Sequence, residues 1–470
     1  MANDLKEQLR AKFVGQTLSD VDTPRVVLDL AKLDVNCVRM LDATDRLGLQ
    51  WRAHIKSHKT TELTRLQVGN EQATPVRLIV STIVEAENIL PLLKEYQSKG
   101  RHINLLFSFP LFASAVARLA HFSSQLGPSS LSVMIDHPDQ LELVAAIRQS
   151  SGHPPDIFIK MDVGSKRAGV VMNSPAYSRL LDAVLSAEAA GSCHLHGLYA
   201  HAGHSYSARN GWKALQFLAS EFTNLKEAAT LVRSKSPDHP LVLSVGATPT
   251  ATTIQNPNFF ETDKLDGPTR DMMDMFADMK TSDFVLEVHA GVYPTLDLQQ
   301  LATHARDSSL MTADDIAISV LAEVASVYPE RGDNGTTQAL INAGVLALGR
   351  EPVEDVGPHN NDASAAGKGY SSWGIAMPWD GLDNNPAPGP DFPQNHGGWQ
   401  VGKISQEHGI LVWKGNKQNE VPLHVGQRVR IWPNHSCIAG ACFDSYLIVD
   451  SRNKARPDEI VDVWPRWRGW

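Results

Sequence analysis

Short polar clusters, each directly after an apolar run, carry the residue types that could do chemistry in this chain. The first is Arg52-Ala53-His54-Ile55-Lys56-Ser57-His58-Lys59. A lysine at the end of a barrel strand faces the mouth, where its amine can act as a base or form a Schiff base; the plainer alternative is a solvated loop lysine. The second runs from Lys160 to Gly169, KMDVGSKRAG. Lys160 and Asp162 can face one side of the strand. Arg167 falls in the loop above, where a guanidinium can reach an aromatic ring nitrogen or a carboxylate, or simply close a loop salt bridge. Next come Tyr199, His201, His204 and Tyr206 around Gly203, a set that suits a ligand mouth, although a lone strand-end histidine is more often a satisfied core residue. Ser244 to Thr250 and His289 to Tyr293 are turns of small residues, hydroxyls and free backbone N–H groups, suited to phosphate or to nothing more than a turn. Far along the chain, His435 and Cys437 are separated by one residue. On an extended segment both point the same way, and imidazole with thiolate is a zinc pair. Two protein ligands would leave positions open for water or substrate, as catalytic zinc requires. Cys37, Cys193 and Cys442 read as small buried hydrophobes.

The elements that must position these clusters are legible from the apolar pattern. A first β-rich run covers Arg25–Asp29. Eight more follow at 51–56, 77–81, 103–107, 131–136, 157–162, 195–201, 241–246 and 284–289. Several are continuously apolar, as strands buried on both faces of a parallel sheet are. Between them, segments such as SPAYSRLLDAVLSAEAAG repeat apolar residues at three- and four-residue spacing and carry helix-cap residues at their ends. Strand alternating with helix over about 240 residues means βαβ units, and eight strands close a (β/α)8 TIM barrel. An open doubly wound sheet is the rival, but the Gly-rich nucleotide fingerprint after the first strand is absent. After residue 305 the texture becomes short, β-rich and helix-poor. The expected organisation is therefore α/β: a barrel over 20–305, then a smaller all-β domain over 306–470 that carries the metal ligands. The Gly/Pro/Asn/Asp-rich stretch 354–398 reads as a long surface insertion, and the N-terminal 1–30 as a segment that could pack with the β domain.

Composition narrows the function classes. The chain has 470 residues, 42% hydrophobic and 20% charged, with a net charge of −9, which is ordinary globular composition. The mild acidity offers no basic face for nucleic acid. No apolar window is long enough for a membrane span, and MANDLKEQLRAKF lacks a signal-peptide core. Four cysteines are too few for a disulfide framework, so a cytoplasmic location is expected.

Taken together, RAHIKSHKT, the KxDxGxxRxG pattern at 160–169 and YAHAGHSY resemble the fold-type III pyridoxal-phosphate enzymes, the barrel group that contains alanine racemase. More narrowly, SVGATPT, EVHAGVY, SVYPERG, LINAGVLALGRE, SQEHGIL and PNHSC resemble the eukaryotic, fungal-type D-serine dehydratase family. The resemblance runs from about Thr23 to the Trp464–Trp470 tail, and the order and spacing of the motifs make it specific. It implies that Lys56 holds pyridoxal 5'-phosphate covalently. Tyr199, Tyr206, Thr248, Gly291 and Val292 fall on cofactor-contacting positions, and His435 and Cys437 on zinc ligands. Arg167 is the candidate contact to the pyridine nitrogen, where a permanent cation would disfavour protonation. Two features depart from the family pattern: Val292 stands where an Asn is usual, and the 354–398 stretch is longer than expected.

The activity so implied is a lyase reaction, β-elimination of water from D-serine to give pyruvate and ammonia. Pyridoxal phosphate would be the electron sink and zinc a Lewis acid on the departing hydroxyl. D-threonine aldolase is a close rival, but its family typically has Asp where Cys437 stands. A D-threo-3-hydroxyaspartate dehydratase can carry the same His-x-Cys and is not separated by it. A non-catalytic cofactor carrier of the same barrel type would usually lack the second domain. The resemblance also implies a homodimer acting on a small-molecule substrate, without nucleic acid or membrane as partner.

Overall fold

The computed structural model describes residues 2–70, 74–261, 263–353, 369–394 and 396–470, with the side chains of residues 2–4 excepted. The chain divides into two compact units. One comprises Val38–Ser205, Asn210–Gly291 and Trp467–Trp470; the other comprises Met1–Cys37, Tyr206–Arg209 and Val292–Arg466.

The first unit is a closed parallel barrel of eight strands. They are β2 (Gln50–His54), β3 (Val76–Val80), β4 (Ile103–Pro110), β5 (Leu131–Ile135), β6 (Asp156–Lys160), β7 (His194–Tyr199), β8 (Leu241–Val245) and β9 (Phe284–Ala290), with β9 pairing back to β2. They match the eight expected runs. Helices cover the outside, so strand residues are buried on both faces and the apolar runs are continuous. The helix Pro175–Ala189 shows how the ends are set: Ser174 accepts the Tyr177 N–H, and Pro175 occupies the first turn, where no amide partner is needed.

The barrel interior is layered. Ile79, Leu106, Met134, Phe158, Tyr199 and Val242 form an apolar cluster. Toward the strands' N-terminal ends the layer is polar. Fully buried Arg52 donates from Nε to Glu287 Oε1 at 2.7 Å and from Nη1 to Asn104 Oδ1 at 2.7 Å. Asn104 in turn accepts from Ser132 and donates to Asp156. Burial alone would raise the Glu287 carboxyl, but Arg52 overrides it and holds the group below its ordinary range.

The second unit is a β structure built on a nine-stranded sheet. Its strands are β1 (Arg25–Asp29), β10 (Ile318–Tyr328), β11 (Gln338–Ile341), β12 (Gly374–Ala376), β13 (Gly398–Ile404), β14 (Gly409–Lys414), β15 (Arg428–Pro433), β16 (Ser445–Val449) and β17 (Asp462–Pro465). Six of them run β11-β14-β13-β12-β15-β10 and close through the β10–β11 pairing, all antiparallel. Trp399, Val401, Leu411, Val429 and Ile431 lie in their core. β1 extends the sheet, antiparallel to β10 and parallel to β16.

Three boundaries differ from the sequence expectation. The expected 20–305 barrel domain includes β1, yet β1 belongs to the other unit because its backbone groups pair with β10 and β16, in line with the expectation that 1–30 could pack with the β domain. Residues 292–305 also fall in that unit, whereas 467–470 fall in the barrel unit. Of the expected 354–398 insertion, 354–368 and 395 lie outside the described residues. The remainder is not a surface excursion: it supplies β12 between β13 and β15 and buries Tyr370, Leu382 and Phe392. Cys37 and Cys193 are buried as expected, but Cys442 is exposed, because it lies in the turn after the short helix Ser436–Ala439. Among the described residues, no helix is long and apolar enough to cross a membrane.

The Arg52–Glu287 pair gives a stability test. Glu287→Leu strands a buried guanidinium and should destabilise the protein by about 3–5 kcal/mol in urea denaturation, whereas the Arg52→Met/Glu287→Leu double variant should recover most of that loss.

Candidate functional site

The end of β2 leads into a tight turn that presents Lys56. The Lys59 N–H donates to the Ile55 carbonyl at 2.9 Å, closing one turn around Lys56. Ser57 Oγ donates to the Gly291 carbonyl at 2.7 Å, and the Trp467 N–H to the Lys59 carbonyl at 2.9 Å. His58 is fixed between Thr60 and Gln67. The loop carrying the lysine is therefore held on several sides.

Lys56 lines a cavity of about 300 Å³ together with Lys160, Arg167, His54, Tyr199 and His201, with Ser81, Ser108 and Phe109 at its edges. No carboxylate is among its described lining residues. Lys160 is nearly fully buried and sits 4.6 Å over the Tyr199 ring. Burial and the neighbouring Arg167 lower its pKa to about 7, although Glu221, Asp162 and Asp136 pull the other way. The loop bearing Arg167 is shaped by the KxDxGxxRxG residues. Asp162 Oδ1 accepts the Gly164 and Lys166 N–H groups, each at 3.0 Å. Gly169 has φ +108°, and a Cβ there would lie 2.7 Å from the Met161 backbone, so the position accepts only glycine.

Three histidines complete the mouth. Burial, then the nearby lysines and the other imidazoles, pushes the pKa of His54, His201 and His289 well below the ordinary histidine value. His201 donates from Nδ1 to the Gly246 carbonyl at 2.6 Å, which leaves Nε2 as an acceptor. The His289 ring stacks on Tyr199 with centroids 4.3 Å apart. Its Nδ1 bonds to Ser244 Oγ, and its Nε2, like His54 Nδ1, is buried without a hydrogen-bond partner among the described residues.

Of the sequence-derived site residues, the structure brings Lys56, Arg167 and Tyr199 together in this cavity. Thr248 opens the short helix after β8, and Gly291 lies against His54, where a Cβ would sit 3.3 Å away. Both belong to the barrel unit, outside the cavity lining. Ser244 and His289, from the two turns read as suited to phosphate or to a plain turn, bond to each other.

Val292, Tyr206, His435 and Cys437 belong to the β unit. There β15 ends at Pro433, and Asn434 is pinned by bonds to the Glu351 and Ser372 carbonyls and from the Tyr370 hydroxyl. His435 is extended, but Cys437 lies in the short helix Ser436–Ala439, so the two side chains meet across a strand-to-helix corner rather than by strand alternation. Asp297, fully buried, accepts the Ser436 N–H at 2.9 Å and fixes that corner. The His435 ring stacks on Tyr206 at 6.5 Å, and Nδ1 is held by Gln299 Oε1. Burial opposes a charged imidazole, but contact with Cys437 and the charges of Asp297 and Glu351 outweigh it and raise His435 to about 9.

Asp297 and Gln299 carry no chemical signature in the sequence. His54 does: it ends β2 two residues before Lys56, inside the polar cluster that follows the apolar run. Glu221 does too, as a lone carboxylate on the apolar stripe Ala214, Leu218, Phe222, Leu225 of the helix Gly211–Lys235.

Residues 28–262 match the family model "Alanine racemase, N-terminal domain", and 317–449 match "Putative serine dehydratase domain". Fold and site thus define an alanine racemase-like barrel protein with a dehydratase-type β domain. The D-serine dehydratase of Schizosaccharomyces pombe is 35% identical over 469 residues, 99% of this chain and 96% of its own. That of Saccharomyces cerevisiae is 30% identical over 475 residues, 98% of this chain and 99% of its own. The chain belongs to the D-serine dehydratase family. Among solved structures, D-threo-3-hydroxyaspartate dehydratase from Delftia sp. HT23 superposes with a TM-score of 0.69 at 25% identity, covering 97% of this chain and 100% of that one.

The buried lysine yields a pH test. A charged Lys160 is disfavoured only in the folded state, so its cost is fully present below pH 7 and disappears as pH rises toward 10.5, where the unfolded chain also loses the proton. Lys160→Met should therefore stabilise the cofactor-free protein most near pH 6, by on the order of a few kcal/mol, and the gain over wild type should shrink by about pH 9.5 in thermal melts.

Proposed function

We propose that this protein is a pyridoxal-phosphate- and zinc-dependent D-serine dehydratase, eliminating water from D-serine to give pyruvate and ammonia. The observation that carries the reading is Lys56: a loop-pinned amine in a small cavity whose charged lining is wholly cationic. Such a cavity suits a polyanionic aldehyde cofactor, because the cations offset its negative charge while an amine carries its carbonyl carbon. The volume is at the low end for a cofactor-sized site. When bound, pyridoxal phosphate supplies the electron sink for breaking bonds at the substrate Cα.

Lys56 has two tasks in this reading. Its Nζ would hold the cofactor covalently at rest and, once the substrate amine has displaced it, would take the proton from the substrate Cα. Arg167 keeps a permanent positive charge in the cavity. Tyr199, braced by the His289 ring, gives the cofactor a flat, rigid wall. Thr248 and Gly291, at the ends of neighbouring strands, are the candidates to cup the phosphate, while Tyr206 and Val292 rest on the family resemblance alone. Val292 in place of the usual Asn leaves only backbone groups at that position for such a contact.

His435 and Cys437 suit zinc by donor type, one imidazole and one thiol with side chains in contact. The Gln299 bond to Nδ1 leaves Nε2 as the metal-facing nitrogen. Two protein ligands would leave positions open for substrate; among the described residues, no group of three or more His, Cys, Asp or Glu side chains gathers as a metal site. Zinc there supplies a Lewis acid that makes hydroxide a better leaving group. A homodimer is part of the same reading, and its mass in solution tests it.

The decisive assay incubates the protein with D-serine, L-serine and D-threonine, with and without chelator. Keto acid plus ammonia from D-serine, lost on chelation, is expected; glycine plus acetaldehyde from D-threonine as the main product would make the protein an aldolase. Borohydride reduction followed by peptide mapping should place a pyridoxyl group on Lys56, and Lys56→Ala should abolish both label and turnover. Gln299→Ala should weaken zinc binding roughly 10- to 100-fold in competition with a chromophoric chelator, with cofactor content unchanged.

A further inference from the structure

Among the buried carboxylates of the barrel unit, Glu221 stands next to the cofactor site without a role in the chemistry above. Glu221, in the middle of the helix Gly211–Lys235, is 1% exposed. Its Oε1 accepts the Ala202 N–H at 2.7 Å and the Gly246 N–H at 3.3 Å. Its Oε2 is buried with no hydrogen-bond partner among the described residues. The two amides come from different loops. Ala202 directly follows His201 at the end of β7, and Gly246 directly follows β8 and leads into Thr248.

The Gly246 peptide is held from both sides. Glu221 takes its N–H, and His201 Nδ1 donates to its carbonyl. A side chain at Gly246, whose φ is +144°, would collide with the His289 carbonyl, so the peptide is also wedged against the end of β9. One carboxylate oxygen thus ties β7 to β8, and through Gly246 it reaches the histidine facing Lys56 and the turn that carries Thr248. Burial pushes the Glu221 carboxyl up to about 7 against the pull of its amide donors, so the site holds this group at a cost in solvation.

We propose that Glu221 is a positioning residue for the cofactor site: it clamps the loops after β7 and β8 in one register, orienting His201 and the Thr248 turn for pyridoxal phosphate. This rests on the proposed function. The working element is the carboxylate oxygen as a double acceptor, rather than the charge. A glutamine keeps that oxygen, whereas a leucine keeps the bulk and loses it.

The test titrates pyridoxal phosphate into Glu221→Gln and Glu221→Leu, following the bound cofactor's absorbance and tryptophan quenching, with circular dichroism as the fold control. Glu221→Leu should raise the cofactor Kd about tenfold or more, and Glu221→Gln should restore it to within about threefold of wild type. An unchanged Kd in Glu221→Leu overturns the proposal, as does a Glu221→Gln protein that binds as poorly as Glu221→Leu. If Glu221→Leu does not fold, Glu221→Asp decides: its shorter arm cannot span both amides, so a folded Asp variant should bind the cofactor more weakly, and wild-type affinity overturns the clamp. If neither folds, the residue serves folding and the proposal falls. A wild-type protein that takes up no pyridoxal phosphate refutes the proposed function instead, which separates the two failures.

Discussion

Like charges are crowded at the barrel mouth, and the surrounding structure answers to that crowding. Lys56, Lys160 and Arg167 share one small cavity without a carboxylate in its described lining. Inside a low-dielectric barrel, three cations repel strongly unless a ligand or a neighbour supplies negative charge. The chain keeps the nearby imidazoles neutral and lowers Lys160, which limits the repulsion. The carboxylates that do help, Asp136, Asp162 and Glu221, stand behind the cavity wall and leave the cavity itself to an anion. A site arranged in this way is incomplete without an anionic guest.

Rigidity around the cavity comes from backbone as much as from side chains. The Lys56 loop is closed on itself and tied to Gly291 and Trp467. The Arg167 loop is wound around Asp162. Such ties hold the reactive groups near working geometry before any ligand arrives, which is where much of the advantage of a preorganised site lies. The His435–Cys437 corner follows the same logic, with Asp297, Gln299 and Asn434 fixing the backbone that brings the two side chains together.

The barrel was legible because its strands are buried on both faces, so composition alone marks them. Lys56, Arg167 and Tyr199 were legible because function in this architecture gathers at strand ends. What stayed hidden depends on distant pairing or on a local exception. Arg25–Asp29 reads as a strand, but nothing within it says that its partners are β10 and β16. Gly374–Ala376 is three residues long and sits among turn-forming residues, so neither period nor propensity marks it as a strand. Gln299 and Asn104 are ordinary polar residues until the fold brings them to His435 and Arg52. Cys437 was expected on an extended segment, and the helix that begins at Ser436 defeats simple alternation.

The place of β1 has a consequence for how the chain acquires its shape on the ribosome. Arg25 pairs with Leu321, and Val27 with Leu447, so this strand must wait for partners about 300 and 420 residues later. All eight barrel strands are synthesised in that interval. An exposed, apolar, unpaired strand edge is prone to pairing with a neighbouring chain. The nascent protein therefore carries β1 without its partners while the whole barrel is synthesised, and completion of the β unit is the step that finally removes this strand from solvent.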